Sequence, residues 1–131
     1  GTAGNMANEL LELMRANPEA FLDSRERYKE TSDFYKAKGS DFPPCPKPAL
    51  TAQDQLGCWA ERAGENLPGG NELLKSHFQI CRSPSPGVCN ATKGSAIEII
   101  MAWRVKSGTC IDANDQSADK SICSFNLRTQ L

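Results

Sequence analysis

Apolar side chains first recur at helical spacing between about Asn5 and Leu22, where Leu10, Leu13 and Met14 alternate with Glu9, Glu12 and Arg15. That is the pattern of an amphipathic helix. Asn17-Pro18 interrupts it. Asparagine is a good N-cap and proline suits the first helical position, so a second short helix carrying Ala20, Phe21 and Leu22 is expected there. Beyond Ser24 the period fades, leaving Tyr28, Phe34 and Tyr35 as anchors of a helical or irregular stretch. Gly39 to Pro48 reads as a connector. From Pro43 to Pro48 four of six residues are proline, which blocks helix and favours an extended strap. Cys45 would pin that strap to the body.

The clearest helix follows. Thr51 with Asp54 makes an approximate capping box, and Leu56, Trp59, Ala60, Ala63 and Leu67 form one stripe, with Gln53, Glu61, Arg62 and Glu65 turned away. Gly64 or the Pro68-Gly69-Gly70 turn should end it. Asn71 is expected to cap a short turn over Glu72 to Lys75. His77-Phe78-Gln79-Ile80-Cys81 alternates polar and apolar residues and predicts a short strand. Ser83-Pro84-Ser85-Pro86-Gly87 is a loop that Cys81 and Cys89 would clamp. Ser95 with Glu98 predicts a last helix, its face made by Ala96, Ile99, Ile100 and Trp103 and widened by Ile97, Met101 and Val105. Asp112 to Lys120 is polar. Ser121 to Leu131, with Ile122, Phe125, Leu127 and Leu131, predicts a closing strand. No internal repeat is present.

Composition narrows the class. A chain of 131 residues fits one domain, and 39% apolar content with a mean hydropathy of -0.49 implies a small core. The six cysteines, Cys45, Cys58, Cys81, Cys89, Cys110 and Cys123, are even in number and never spaced C-x2-C, and there is one histidine. Zinc and redox motifs are thereby disfavoured, and three disulfides made in an oxidising compartment are expected. Fifteen pairings are open; joining neighbours gives Cys45–Cys58, Cys81–Cys89 and Cys110–Cys123. Asn90-Ala91-Thr92 is an N-glycosylation sequon and agrees with a secreted or cell-surface location. No apolar run reaches membrane-spanning length, and Gly1-Thr2-Ala3-Gly4 carries no signal peptide, so the chain reads as a mature product. Fifteen basic and sixteen acidic residues give a net charge of -1 without a basic stripe, which argues against nucleic acid as partner. The mixed charges of Asp23 to Lys38 read as a solvated face.

Candidate chemistry is sparse. His77 is the only side chain with a near-neutral acid–base range, and in an extended segment Ser76 would point away from it; it is at most a weak catalytic candidate. A zinc site on His77 with Glu72 or Glu98 lacks a third ligand by spacing, and Glu98 already has a capping explanation. Asp112, Asp115 and Asp119 resemble sparse calcium ligands but lack the glycine and terminal glutamate of an EF-hand. No P-loop or GxGxxG is present, and neither metal nor cofactor is expected. Trp59, His77, Phe78 and Trp103 are the candidate ligand-binding residues, although core packing is the commoner use of such aromatics.

Three stretches resemble the CAP superfamily of SCP-like secreted proteins. Asn8-Glu9-Leu10-Leu11-Glu12-Leu13-Met14-Arg15-Ala16-Asn17-Pro18-Glu19-Ala20-Phe21 is similar to its opening helix, with the arginine-alanine-asparagine-proline phrase. Pro48-Ala49-Leu50-Thr51, followed by Leu56, Ala60 and Ala63, looks like its second helix. Ser76-His77 stands about where these domains carry the first cavity histidine, and Ala96 to Trp103 is similar to a later helix bearing a tryptophan. The matches cover about half of the chain. The resemblance implies an α+β, helix-rich fold, a small α-β-α sandwich with a reduced sheet; an all-α disulfide-rich domain is the alternative. It implies extracellular binding, of lipid or sterol or of a protein or cell-surface partner, with hydrolysis a disputed activity. The departures are definite. The family's cavity uses two histidines and two acids, whereas His77 is alone, and Gly64-Glu65-Asn66 precedes the histidine instead of following it. The glycine- and tyrosine-rich closing strands are absent. Residues 1–131 thus resemble a degenerate single CAP-like domain, like the small cysteine-rich CAP-like surface antigens of coccidian parasites, incomplete at its C-terminus or one chain of a processed, disulfide-linked pair. The expected function is binding without turnover, with a lipid or apolar-ligand carrier and a weak His77- or metal-dependent hydrolase as alternatives.

Overall fold

A computed structural model describes residues 1–106, 110 and 120–131 of the chain. Helix α1 (Thr2–Ala16) begins three residues before the expected start and buries Ala3, Met6, Ala7, Leu10, Leu11 and Met14. The second short helix is only a single 3-10 turn, Pro18–Ala20. Asn17 does not cap it; the Asn17 amide donates to the Leu13 carbonyl (2.8 Å) and to Gln55 Oε1 (3.0 Å), so it closes α1 and ties it to the next helix. The turn stops because Phe21 leaves helical geometry to enter the core. There its ring stacks on Tyr28 (6.2 Å) and meets Phe34 edge-on (6.3 Å). These rings anchor a segment that is otherwise turns and bends.

Helix α2 (Ala52–Asn66) carries the expected capping box: Asp54 N–H donates to Thr51 Oγ1 (3.0 Å), and Thr51 N–H donates back to the Asp54 carboxylate (3.2 Å). Two backbone N–H groups, of Leu50 and Thr51, hold the Asp54 carboxyl below its ordinary range. The helix ends at Asn66, past Gly64, where Leu67 turns extended before Pro68. Trp59 Nε1–H donates to the Met6 carbonyl (2.8 Å) and so joins α2 to α1 inside the core. Helix α3 (Gly70–Leu73) is capped by Gly69 in the left-handed region (φ 63°), and Asn71 lies inside the turn instead of at its cap.

The proline-rich strap crosses α2 at Gly57. A Cβ at Gly57 would collide with the carbonyl oxygens of Pro43 and Pro44, so glycine is required for the close approach. The Cys45–Cys58 disulfide fastens the strap beside that crossing.

Three antiparallel strands, β1 (Gln79–Ser83), β2 (Ala96–Arg104) and β3 (Ile122–Thr129), form a sheet in the order β1-β2-β3. The fold is α+β, and the all-α alternative is excluded. The expected strand at His77 starts two residues later, and the closing strand is present as β3. The helix expected from Ser95 is instead β2. A capping-box spelling and a two-sided apolar run misled there, because periodicity does not separate a buried helix from a buried strand. Shortness and β-branched content do separate them, and Ile97, Ile99 and Ile100 fall within a nine-residue element. As the central strand it is covered on both faces. In register, Ile80, Ile99 and Leu127 share one face, while Cys81, Glu98 and Arg128 share the other. Helix α1 packs on β3 and α3 on β2.

Replacing Gly57 with alanine should lower stability by ~1–3 kcal/mol, the usual range for overpacking. A urea-unfolding midpoint equal to that of the parent protein would contradict the role given to the strap crossing.

Candidate functional site

The four candidate ligand-binding residues do not converge on one cavity. Trp59 and Phe78 are fully buried and pack against each other (6.4 Å), each also touching Phe42 at 6.2 Å. That three-ring cluster is core. His77 stands half-buried in the turn after α3, and its Nδ1 is 2.6 Å from Ser76 Oγ. The serine therefore does not point away, since the segment is a turn and not a strand. Trp103 lies elsewhere, half-buried near the end of β2. With Leu67, Pro68, Val105, Phe125 and the start of α1 it lines a cleft of about 370 Å³.

Glu98 is the polar centre of the sheet. It is 1% exposed and belongs to β2. Both carboxylate oxygens accept from Gly87 N–H (2.9 Å each), and Asn126 Nδ2 donates to Oε2 (3.2 Å). Ser83 Oγ lies 3.2 Å from Oε1 and 2.7 Å from the Ser85 carbonyl, so its one proton is shared between them. Arg128, opposite Glu98 in register, donates to Ser83 Oγ (3.1 Å) and the Ser83 carbonyl (3.2 Å). The loop closed by Cys81–Cys89 is thus folded over a buried carboxylate, with a guanidinium one residue away. The capping role foreseen for Glu98 is replaced by this one. Among the described residues no group of three His, Cys, Asp or Glu side chains is placed to hold a metal ion. The calcium-like Asp112, Asp115 and Asp119 lie outside the described residues.

A second buried charge sits in the stretch expected to be a solvated face. Lys36 is 3% exposed, donates Nζ–H to the carbonyls of Lys75 (2.7 Å) and Phe78 (2.9 Å), and stands 5.2 Å over the Phe42 ring. Its backbone also pairs with Ile80 on the outer edge of β1. Burial lowers its ammonium to about 8, while Asp41 pulls it back up and Lys75 pushes it further down. One residue earlier, Tyr35 donates its hydroxyl to the Lys29 carbonyl (2.9 Å), and burial raises that hydroxyl to about 12 against the lowering effect of Arg82.

Tyr35 also lines a shallow groove of about 490 Å³ between the Glu30–Ser40 segment and β1, with Ser32, Gln79, Arg82, Asn90 and Ala91. Asn90 is exposed. All six cysteines are bridged in the neighbour-joining pattern, Cys45–Cys58, Cys81–Cys89 and Cys110–Cys123. No free cysteine remains in this arrangement.

Lys36 gave no signal in the sequence, because its burial comes from contacts with residues about forty positions away. Glu98 had one: a single carboxylate inside a run of isoleucines. No protein family, curated protein or solved structure compared with this chain matches it.

Because Lys36 is held neutral more readily folded than unfolded, the unfolded chain binds more protons between pH 8 and the ordinary lysine range, and stability should rise with pH there. Tyr35, which keeps its proton in the fold after the unfolded chain loses it, reverses the trend above about pH 10. Urea midpoints at pH 7.5, 9.5 and 11 should show a rise and then a fall, and Lys36→Met should abolish the rise. The same substitution strands two carbonyls and should cost ~1–3 kcal/mol at pH 7.

Proposed function

We propose that this chain is a secreted or surface-displayed protein that acts by binding and turns nothing over, built on a degenerate CAP-like scaffold. The observation that carries the reading is the closure of all six cysteines into three short loops of 13, 8 and 13 residues. Such bridges persist in oxidising compartments and compensate for a small core. No described helix is long and apolar enough to cross a membrane, which is compatible with an extracellular protein. Under this reading the sequon at Asn90 is an N-glycan acceptor.

Support for the CAP-like scaffold comes from α1 with its arginine-alanine-asparagine-proline ending, from α2 capped at Thr51, and from His77 just after α3. The tryptophan-bearing stretch Ala96 to Trp103 no longer contributes, since it is a strand. The hydrolase reading draws no support from the site. Ser76 and His77 touch in a surface turn, and the buried carboxylate Glu98 is taken up by the Ser83–Gly87 loop.

A second reading has a specific observation behind it. The cleft at Trp103 and Phe125 is walled by apolar side chains and is of small-molecule size, so it fits a small apolar ligand, the carrier function implied by the resemblance. The ligand would sit at the surface end of the helix–sheet interface, away from Trp59 and Phe78.

Two measurements test these readings. Peptide mapping without reduction, on protein made through a eukaryotic secretory route, should yield three linked peptide pairs; a functional form with free thiols would end the proposal. An apolar naphthalene-sulfonate dye should take up energy from Trp103 on binding, and Trp103→Ala should weaken it by about tenfold, equivalent to ~1.4 kcal/mol. Dye affinity indifferent to that change would remove the carrier reading.

A further inference from the structure

The sequon has no part in the cleft at Trp103, yet its local geometry is specific. Asn90 Oδ1 accepts from the backbone N–H groups of Thr92 (2.9 Å) and Lys93 (3.2 Å) and lies 3.0 Å from the Thr92 hydroxyl. Two backbone donors on one oxygen fix which way the amide faces, because the flipped form would set its own N–H groups against them. Nδ2 is then the remaining atom of an exposed side chain, and it has no hydrogen-bond partner among the described residues. The native fold therefore has room for a substituent on that nitrogen. The segment is held in place from below: Asn90 N–H donates to the Arg82 carbonyl (3.0 Å), and Arg82 Nε–H donates to the Gly94 carbonyl (2.9 Å).

Asn90 also stands on the groove that contains Tyr35. That groove combines an aromatic ring with polar side chains, the neutral Ser32 and Gln79 and the charged Glu30 and Arg82, and its volume of about 490 Å³ lies within the ~300–1,000 Å³ of small-molecule sites. A ring for the apolar face of a pyranose and polar groups for its hydroxyls is the chemistry a sugar needs. We propose that an N-linked glycan on Asn90 lays its first N-acetylglucosamine into this groove against Tyr35, making the groove an intramolecular carbohydrate seat. The inference rests on the secretory reading above and deepens it. In the transfer, Nδ2 displaces the diphosphate of a lipid-diphosphate-linked oligosaccharide. The Nδ2–C1 bond forms, the C1–O bond breaks with its electron pair leaving on the diphosphate, and the amide proton passes to a base of the transferase. The tether then supplies a high effective concentration, so a shallow groove suffices where a free sugar would bind weakly. Seated there, the sugar covers the Cys81–Cys89 bridge, whose two residues line the same groove.

The test uses the full chain secreted from a eukaryotic host. Intact mass before and after enzymatic release should locate a glycan on Asn90, lost in Thr92→Ala and kept in Thr92→Ser. After trimming to the first sugar, NMR should show its ring or N-acetyl protons displaced upfield by the Tyr35 ring, and Tyr35→Leu should return them to free-glycan positions. The trimmed parent protein alone is decisive if that variant does not fold: sugar protons at free-glycan positions overturn the seat. A secreted, fully bridged protein with Asn90 bare overturns the site but leaves the secretory reading standing, whereas a chain with free thiols overturns that reading itself.

Discussion

Strand β2 is enclosed on both faces, and a strand so placed has no side on which a charge can reach water. Glu98 stands in the middle of it. A carboxylate moved into a protein interior is tolerated only if its hydrogen-bonding capacity is taken up and its charge is answered nearby. Here the backbone of Gly87 and the amide of Asn126 meet the oxygens, with Arg128 anchored to Ser83 just beyond. The consequence runs outward from that carboxylate: the turn after β1 must fold back over the sheet, β3 must lie in the register that brings Asn126 and Arg128 alongside, and the Cys81–Cys89 bridge holds the turn in that place. The three strands are thereby specified together.

The first half of the chain solves a different problem. Between the end of α1 and the start of α2 lie residues 17–51, with almost no regular structure, and their backbone groups are not satisfied by a ladder. Order there comes from side chains that reach the core singly: Phe21, Phe34 and Phe42, and the ammonium of Lys36, which answers two carbonyls at once. A lysine in such a position is costly to desolvate, and its lowered proton affinity is the direct expression of that cost. It is retained where the alternative is two unpaired carbonyls beside an aromatic cluster.

Much of this was legible in the residues. Both long helices were, because a 3.6-residue stripe and a capping box are local signals that tertiary contacts here reinforce. The disulfide class was legible from cysteine number and spacing, and β3 from its apolar content and terminal place. The element at Ala96 to Arg104 was not, since being apolar on both sides erases the period that would tell strand from helix, and the Ser95–Glu98 spacing imitates a cap. Of the candidate ligand residues, only Trp103 lines a recess of its own, while Trp59 and Phe78 went to the core as large rings commonly do. The groove at Tyr35 had no signature at all, as it exists only once the Glu30–Ser40 segment is laid against β1.

The bridges have a topological consequence. Each joins a cysteine to the next one along the chain, so the three covalent rings follow one another like beads and none overlaps another in sequence. No ring spans much more than a dozen residues, a separation that an unfolded segment closes in roughly 10–100 ns. A chain emerging from its amino end therefore never has to wait for a distant sulfur: Cys58 finds Cys45 already present, Cys89 finds Cys81, and Cys123 finds Cys110. Oxidation can proceed in the order of synthesis, with no wrong partner closer than the right one.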